Sequence, residues 1–269
     1  MCKRAEIIVF NVGFGDAIYI EIIEGDETIK TFLIDCGYPN KIEAGLKYLH
    51  DKRKEINYII LTHKHSDHIA GLIKVLGEGF EVKNVIMRMD DIERSASESN
   101  RRMLEALDEK NGFFLDLFHS KAKRILSDFV VLYPIEGEAK VHCKANRNSI
   151  ALALGINDKY LLFMGDATKA EEKIILNRQE IYAQKGMELS KACYVKIGHH
   201  GSKSSTGLPF IESLSKNTKN VGIISCNYGG PPPHKKIIEG RWKGELKYTR
   251  DAHVQGFIKV KFDEDVECL

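Results

Sequence analysis

The sequence predicts one α/β domain built from two similar halves, and the first evidence is a repeated hairpin pattern. Residues 17–37 (AIYIEIIEGDETIKTFLIDCG) have the pattern of a strand, a polar turn and a second strand. Residues 149–167 (SIALALGINDKYLLFMGDA) repeat that plan. The first hairpin ends on Asp35 and the second on Asp166. This repeat indicates two equivalent units within the chain.

The segments that follow the two hairpins also correspond. Apolar residues spaced three or four positions apart predict amphipathic helices at 40–56 and 169–184. Each helix leads to a short apolar strand that ends in histidines, at 57–68 and at 192–202. Strand ends of this kind meet at a sheet edge, so we expect the two histidine groups to converge there.

The length and composition are those of an ordinary globular domain. The chain has 269 residues, of which 43% are hydrophobic and 29% charged, so residues 1–269 are expected to form one domain. The formal net charge of +2 means that any basic surface must be local. Residues 91–129 have the pattern of two charged amphipathic helices broken at Asn111-Gly112. We expect a cap or flank over the site edge, the alternative being ordinary solvated helices.

Targeting and redox signals favour the cytoplasm. The N-terminus is basic and then apolar, but Glu6 and Asp16 interrupt it and no small-residue cleavage site follows, so no signal peptide is expected. No apolar run approaches the roughly 18 residues that a membrane span needs, and no membrane partner is expected. The six cysteines form no CxxC pair, which is typical of reduced thiols in a cytoplasmic protein.

The strongest chemical signal is the stretch THKHSDH at 62–68. His63 and His65 alternate by two and should point the same way at a strand end, and Asp67 and His68 follow as the chain turns. Imidazoles and carboxylates are ligands that zinc accepts, and manganese or iron would also fit. Packing gives no reason for such a cluster, because its desolvation would be uncompensated.

The number of candidate ligands predicts two ions. Asp166 and one histidine of the 199–200 pair join the 62–68 cluster in the proposed site, which exceeds the needs of one ion. We expect two divalent ions bridged by Asp166, zinc being the first candidate and manganese the second. Two close ions can hold a hydroxide between them and stabilise a developing oxyanion during hydrolysis.

The same motif resembles the HxHxDH signature of the metallo-β-lactamase superfamily, whose fold is an αββα sandwich of two mixed sheets flanked by helices. Six ordered blocks resemble the hydrolase domain of ComEC-type competence DNA-uptake proteins and their soluble relatives. These blocks are NVGFGDAIYI, FLIDCG, NRNSIALAL, LLFMGDA, VKIGHHGSKSS and IISCNYGGPPPHKKI. The chain has no channel segment, so a free-standing relative of the uptake proteins is expected.

The resemblance implies a role for each matching residue. One ion is held by the first two histidines of the motif, the other by its aspartate and last histidine, and Asp166 bridges them. His200 is favoured over His199 to complete the second ion, with His199 facing the substrate or its leaving group. The implied metal ligands are His63, His65, Asp67, His68, Asp166 and His200, and the implied catalytic residues are Asp67 and His199.

Further roles follow from the same resemblance. Asp35 and Asn148 are expected to hold the ligands by hydrogen bonds. Lys203 and His234 are expected to contact the substrate, although His234 has an equal alternative as a loop residue. His142 is either a ligand or a loop residue. The chain also departs from the family's opening block, which usually has an acidic residue and a glutamine where this chain has Asn11 and Phe14.

Basic residues in the segments that flank the candidate ligands suggest a phosphodiester substrate. They are Lys64, Lys144, Arg147, Lys203, Lys235, Lys236, Arg241 and Lys243. We expect a metal-dependent phosphodiesterase or nuclease, acting on DNA or RNA with little sequence preference because no base-reading motif is present. A small-molecule esterase, lactonase or phosphorylcholine-type esterase is the alternative, and a non-catalytic partner-binding module is the third.

Overall fold

The structure is a computed structural model that describes residues 3–89, 113–137, 144–214, 220–226, 238–240, 242–252 and 256–262. Within these ranges the chain forms two β-sheets. The strands of the first sheet are β1 (Lys3–Phe10), β2 (Ile18–Glu24), β3 (Glu27–Ile34), β4 (Tyr58–Ile60), β5 (Asn84–Met87), β6 (Phe114–Asp116) and β13 (Phe257–Phe262). Their order is β13-β1-β2-β3-β4-β5-β6. Strands β13 to β3 pair antiparallel, and β3 to β6 pair parallel.

The second sheet repeats this mixed arrangement. Its strands are β7 (Phe129–Tyr133), β8 (Ala151–Ile156), β9 (Lys159–Phe163), β10 (Ala192–Lys196), β11 (Val221–Ile224) and β12 (Glu245–Tyr248). Their order among the described residues is β12-β11-β10-β9-β8-β7. The β7–β8 and β8–β9 pairs are antiparallel, while β9 to β12 run parallel. In both sheets, therefore, a hairpin is followed by a parallel strand, as the repeat predicted.

Most of the described helices lie on the outer faces of the sheets. They are α1 (Pro39–Asp51), α2 (Ser66–Ile69), α3 (Leu72–Gly77), α4 (Ser120–Ile125), α5 (Lys169–Leu176), α6 (Gln179–Ala183) and α7 (Leu208–Leu214). Helix α1 begins with a proline, which suits a helix start because proline has no N–H that would need a hydrogen-bond acceptor. Ile42, Leu46 and Leu49 give the helix one buried face. A capping box between Thr168 and Glu171 begins α5.

Three apolar clusters define the layers. Between the sheets, side chains such as Ile20, Phe32 and Leu152 form one buried cluster. Outside the first sheet, α1 and its neighbours pack over a second cluster, and outside the second sheet α5 to α7 pack over a third. The result is a four-layered αββα sandwich with mixed sheets, which confirms the predicted fold class.

Several local predictions were wrong. The helix predicted at 40–56 ends at Asp51, and Arg53 just beyond it has a positive φ of 51°. The helix predicted at 169–184 is divided at Asn177 and Arg178 into α5 and α6.

The second helix predicted within 91–129 is instead strand β6, the short helix α4 and the start of β7. Apolar side chains of this segment, including Leu115 and Ile125, pack into the cluster between the sheets. Sheet pairing and that burial therefore outweigh the helical periodicity. The first predicted helix and the Asn111-Gly112 break lie outside the described residues.

The cysteines and the membrane prediction have different outcomes. Cys193 is disulfide-bonded, which corrects the expectation that the thiols are reduced, since distance along the chain does not limit proximity in the fold. Its partner lies outside the described residues, and Cys36 and Cys226 are free and buried. Within the described ranges, no helix has both the length and the apolar character that a membrane span requires.

Candidate metal centre

The candidate site lies where four parallel strands end. Asp35 follows β3, His63 follows β4, Asp166 follows β9, and the His199-His200 pair follows β10. These positions lie at the carboxyl ends of parallel strands, where backbone pairing stops and side chains can converge. The two halves meet here through a hydrogen bond from the Ile150 amide to the Thr62 carbonyl, 2.9 Å long.

One group of candidate ligands consists of His63, His65 and Asp166. One ligand atom from each lies within 4.8 Å of the other two. Nε2 of His63 is 3.1 Å from Nδ1 of His65 and 3.6 Å from Oδ2 of Asp166. Two imidazoles and a carboxylate oxygen therefore face one point, which suits a divalent ion such as zinc.

A second group forms on the other side of Asp166. It contains Asp67, His68 and His200, again with one ligand atom each within 4.8 Å. Oδ1 of Asp166 is 3.3 Å from Nε2 of His68 and 3.5 Å from Nε2 of His200. Oδ2 of Asp67 is 3.5 Å from the same His200 atom. Asp166 thus presents one oxygen to each group, the arrangement expected of a bridging carboxylate.

Several candidate ligand atoms of the two groups are buried without a hydrogen-bond partner, as expected of atoms that bind a cation. Nε2 of His68, Oδ1 of Asp166 and both ring nitrogens of His200 are buried and have no hydrogen-bond partner. A buried polar atom without a partner costs about 1–3 kcal/mol, and such atoms in native proteins call for an explanation. Here they converge with a partly exposed carboxylate, Asp67. The donor set and the missing partners together fit bound metal ions.

Asp35 fixes the protonation of two candidate ligands. Its Oδ2 lies 2.6 Å from Nδ1 of His68 and accepts a 2.7 Å hydrogen bond from the Thr62 hydroxyl. Because the hydroxyl proton points at Asp35, the hydroxyl oxygen accepts from Nδ1 of His63, 3.1 Å away. In both histidines Nδ1 is then a donor, and Nε2 is the ring nitrogen that faces Asp166. This is the orientation that a metal ligand needs.

Charge interactions within the site are strong. Burial favours the neutral form of Asp166, but the charges of His68 and His200 outweigh it and hold the pKa of Asp166 well below its usual value. Burial and the charge of His68 lower the pKa of His63 well below its usual value. Burial lowers the pKa of His68, but Asp166 and Asp35 reverse the direction and raise it well above the usual value.

His199 lies beside the two groups and in neither of them. Its Nδ1 is 2.7 Å from the Ser204 hydroxyl, and its Nε2 is 2.8 Å from the Asn146 amide nitrogen. Nε2 is also 3.7 Å from Oδ2 of Asp166. The His199 side chain is 30% exposed, whereas the His200 side chain is 6% exposed. The structure therefore places His200 among the candidate ligands and His199 toward solvent.

The backbone of the histidine pair is unusual. His199 and His200 have φ values of 47° and 50°, in the left-handed region that such residues seldom adopt. Each such conformation costs on the order of 1–3 kcal/mol and is kept only where the surroundings impose it. The His199 amide donates to the Gly165 carbonyl at 2.9 Å, which ties this turn to the loop that carries Asp166.

The remaining predicted residues have mixed outcomes. Lys203 is exposed next to the histidine turn. Asn148 is fully buried. The amide nitrogen of Asn146 lies 3.3 Å from Oδ2 of Asp166. His142 and His234 lie outside the described residues. The roles of Thr62 and Ser204 were not predicted, because a hydroxyl residue near a motif histidine is too common to indicate a metal site.

Comparison with known proteins agrees with this geometry. The family profile described as the metallo-beta-lactamase superfamily matches residues 11–114, which include the whole 62–68 motif. Residues 11–114 are therefore similar to a metallo-β-lactamase domain. Over 216 residues it is 29% identical to ComE operon protein 3 of Bacillus subtilis (strain 168), a match that covers 79% of this chain. The matched region spans 25% of that longer protein.

Solved structures with some similarity have low sequence identity. A CmlA beta-hydroxylase variant is 13% identical, with a TM-score of 0.48 over 95% of this chain and 54% of its own. The metallo-beta-lactamase FIM-1 from Pseudomonas aeruginosa, in its mono-zinc form, is 15% identical, with a TM-score of 0.38 over 63% of this chain and 73% of its own. The profile match over residues 11–114 and the clustered histidines and aspartates are both typical of metal-dependent hydrolases.

Proposed function

We propose that the chain is a hydrolase of the metallo-β-lactamase superfamily, namely a binuclear phosphodiesterase that cleaves nucleic acid with little sequence preference. The position of Asp166 supports the proposal of two metal ions. Its Oδ2 faces His63, and its Oδ1 faces His68 and His200. Each of its oxygens faces a separate group of candidate ligands. A carboxylate placed in this way serves two ions at once.

Some residues of the site would hold the metal ions, and others would orient the ligands. Two bound ions, with zinc as the first candidate, would supply an activated water and neutralise charge on the phosphoryl oxygens. His63 and His65 would hold one ion, and Asp67, His68 and His200 the other. Asp35 and Thr62 keep the Nε2 lone pairs of the buried histidines turned inward. These contacts preorganise the ligands, so little rearrangement accompanies ion binding.

His199 is placed to act on the substrate. Its ring is held between Asn146 and Ser204, so its orientation is fixed while one edge stays open to solvent. A phosphodiester at the ion pair would have its leaving oxygen within reach of this ring. We assign to His199 the contact with that leaving group.

The phosphodiester part of the proposal is supported by local charge. Lys144 and Lys203 are exposed on segments that border the site. Arg147 is held by an ion pair with the buried Glu171, 2.9 Å from Nε to Oε1, which fixes the loop that carries Asn146. Lys235, Lys236 and Arg241 lie outside the described residues. A cationic border on a nearly neutral chain favours a polyanionic substrate over a neutral ester.

The test combines metal analysis with a substrate panel. Purified protein, reconstituted with zinc or manganese, should contain about two ions per chain and cleave bis-p-nitrophenyl phosphate and oligonucleotides. The same preparations should be assayed with a neutral lactone and a phosphorylcholine ester. Turnover of those compounds without cleavage of any phosphodiester of nucleic acid would favour the esterase alternative. Absence of both metal and turnover would favour a binding module.

A further inference from the structure

An exposed aromatic ring stands beside the candidate metal centre. Phe14 lies in the loop between β1 and β2, and 40% of its surface is exposed. It is flanked by Gly13 and Gly15, whose φ values of 79° and 103° are open to glycine and strained for other residues. Single exposed apolar side chains are common on protein surfaces, so the informative feature of Phe14 is its position beside the site.

The position of Phe14 is fixed on both sides. A Cβ on Gly15 would lie 1.9 Å from the carbonyl oxygen of Asp67, so the loop directly abuts a candidate ligand residue. The next residue, Asp16, is buried and forms an ion pair with buried Lys196, 2.8 Å from Oδ1 to Nζ. The loop that carries Phe14 is therefore held against the site by Gly15 and Asp16.

The ring contacts one candidate ligand and leaves much of its surface free. The Phe14 and His200 rings meet edge to face, with centroids 6.1 Å apart and an interplanar angle of 70°. This separation is on the scale of one nucleotide. A substrate phosphate bound next to His200 would therefore bring its attached group to Phe14.

We propose that Phe14 is a specificity-determining residue that stacks on an unpaired nucleobase next to the phosphodiester to be cleaved. This inference rests on the proposed nuclease function and narrows its substrate to single-stranded nucleic acid or unpaired ends. Every base has a π-face, so an aromatic platform binds bases with little sequence preference. A paired base inside a duplex is covered by its neighbours and cannot offer that face.

The experiment compares Phe14→Ala and Phe14→Trp with the parent protein. Ile29→Ala is the matched control, because Ile29 is 41% exposed and lies toward the hairpin tip, about 20 Å along β3 from the site edge. Binding of a labelled oligothymidylate, its RNA equivalent and an abasic strand of equal charge is measured by fluorescence anisotropy with metal-loaded protein. Cleavage of the same strands is measured separately.

The expected result is a selective loss. Phe14→Ala should weaken binding of both base-bearing strands by between about fivefold and a hundredfold, and leave the abasic strand unchanged. Phe14→Trp and Ile29→Ala should bind like the parent. An equal loss on base-bearing and abasic strands would overturn the proposal, because it would show that Phe14 acts only through His200.

The two proposals fail in different ways. Base-dependent binding without cleavage of any strand would contradict the nuclease function and support stacking. Cleavage of all strands with no effect of Phe14→Ala would contradict stacking and support the nuclease function. Absence of binding to every strand would contradict both.

Discussion

Oδ2 of Asp35 lies 2.6 Å from Nδ1 of His68, and both side chains are buried from solvent. The same oxygen accepts the Thr62 hydroxyl, whose own oxygen contacts His63. One carboxylate therefore orients one histidine in each of the two candidate metal groups. This places Asp35 at the centre of the site's organisation although it belongs to neither of the groups described around Asp166.

Asp35→Asn should lower metal affinity by about 10- to 100-fold, because the amide cannot accept from both Thr62 and His68 as the carboxylate does. Asn also tolerates the left-handed backbone at this position, where φ is 57°, so the fold should persist. Zinc competition with a chromophoric chelator measures the change. Affinity equal to that of the parent would show that Asp35 does not support the ligands.

Asp166→Ala should reduce the metal content from about two ions to at most one, because it removes the carboxylate shared by both groups. Elemental analysis after reconstitution and exhaustive dialysis measures the stoichiometry. Asp26→Ala is the control, since Asp26 is exposed in the β2–β3 turn. An unchanged metal content in Asp166→Ala would contradict the bridge.

Asp67→Ala should lower kcat/KM by roughly a thousandfold or more while preserving the fold, since several kcal/mol of charge stabilisation would be lost with the second ion. Its side chain is 22% exposed, so truncation leaves no large cavity. His68→Ala is a less clean variant because His68 is fully buried. Circular dichroism checks the fold, and near-normal turnover of bis-p-nitrophenyl phosphate would contradict the mechanism.

Cleavage of an oligonucleotide should weaken steeply with salt, by about 0.7–0.9 log units per log unit of salt for each phosphate contacted. Lys203→Ala, and separately the double variant Lys235→Ala and Lys236→Ala, should give shallower slopes. Lys47→Ala, on α1, serves as the control. Measurement of kcat/KM across a salt series tests this, and a flat profile in the parent would argue for a neutral substrate.

Acid stability should depend on Asp128, which accepts hydrogen bonds from Lys3 and Lys30. Burial raises the pKa of this carboxyl, but the two lysines outweigh burial and lower the pKa below its usual 3.8. The ion pairs therefore stabilise the fold fully above pH 3.8, and this contribution is lost as the pH falls through the lower folded pKa. Asp128→Asn should cost about 2 kcal/mol at neutral pH.

Urea unfolding at several pH values measures the effect of Asp128→Asn. The difference in unfolding free energy between parent and variant should stay constant from neutral pH to about pH 5 and narrow only under more acidic conditions. A difference that narrows as the pH rises toward neutral would have the wrong sign for a carboxyl with a lowered pKa. Asp26→Asn, which changes an exposed carboxylate, is the control.

The repeated pattern allowed two similar α/β halves to be predicted, and the family resemblance implied the layered sandwich. The hairpin at 17–37 is observed as β2 and β3, and the hairpin at 149–167 as β8 and β9. The segment 113–129 was mispredicted because its apolar spacing suits a helix, while its partners are a neighbouring strand, β5, and the cluster between the sheets. Such long-range partners cannot be inferred from local periodicity.

The ligand motif was visible in the sequence and Asp35 was predicted to support it, whereas other contacts of the ligands were not predicted. The residue types and the spacing of THKHSDH indicate metal binding. The roles of Thr62 and Asn146 depend on which atoms the fold brings together, namely Asp35 with Thr62 and Asp166 with Asn146. A hydroxyl or amide carries no such information by itself. The exposure of Phe14 likewise follows from the clamped loop and not from its neighbours in sequence.

The candidate ligands are divided between the two halves of the chain. Residues 63–68 come from the first half, and Asp166 and His200 from the second. Each of the two proposed ions would take ligands from both halves and would act as a removable cross-link between segments far apart in sequence. Mechanical separation of the halves would have to break coordination bonds first, so a pulled molecule should resist greater force when metal is bound than after chelation.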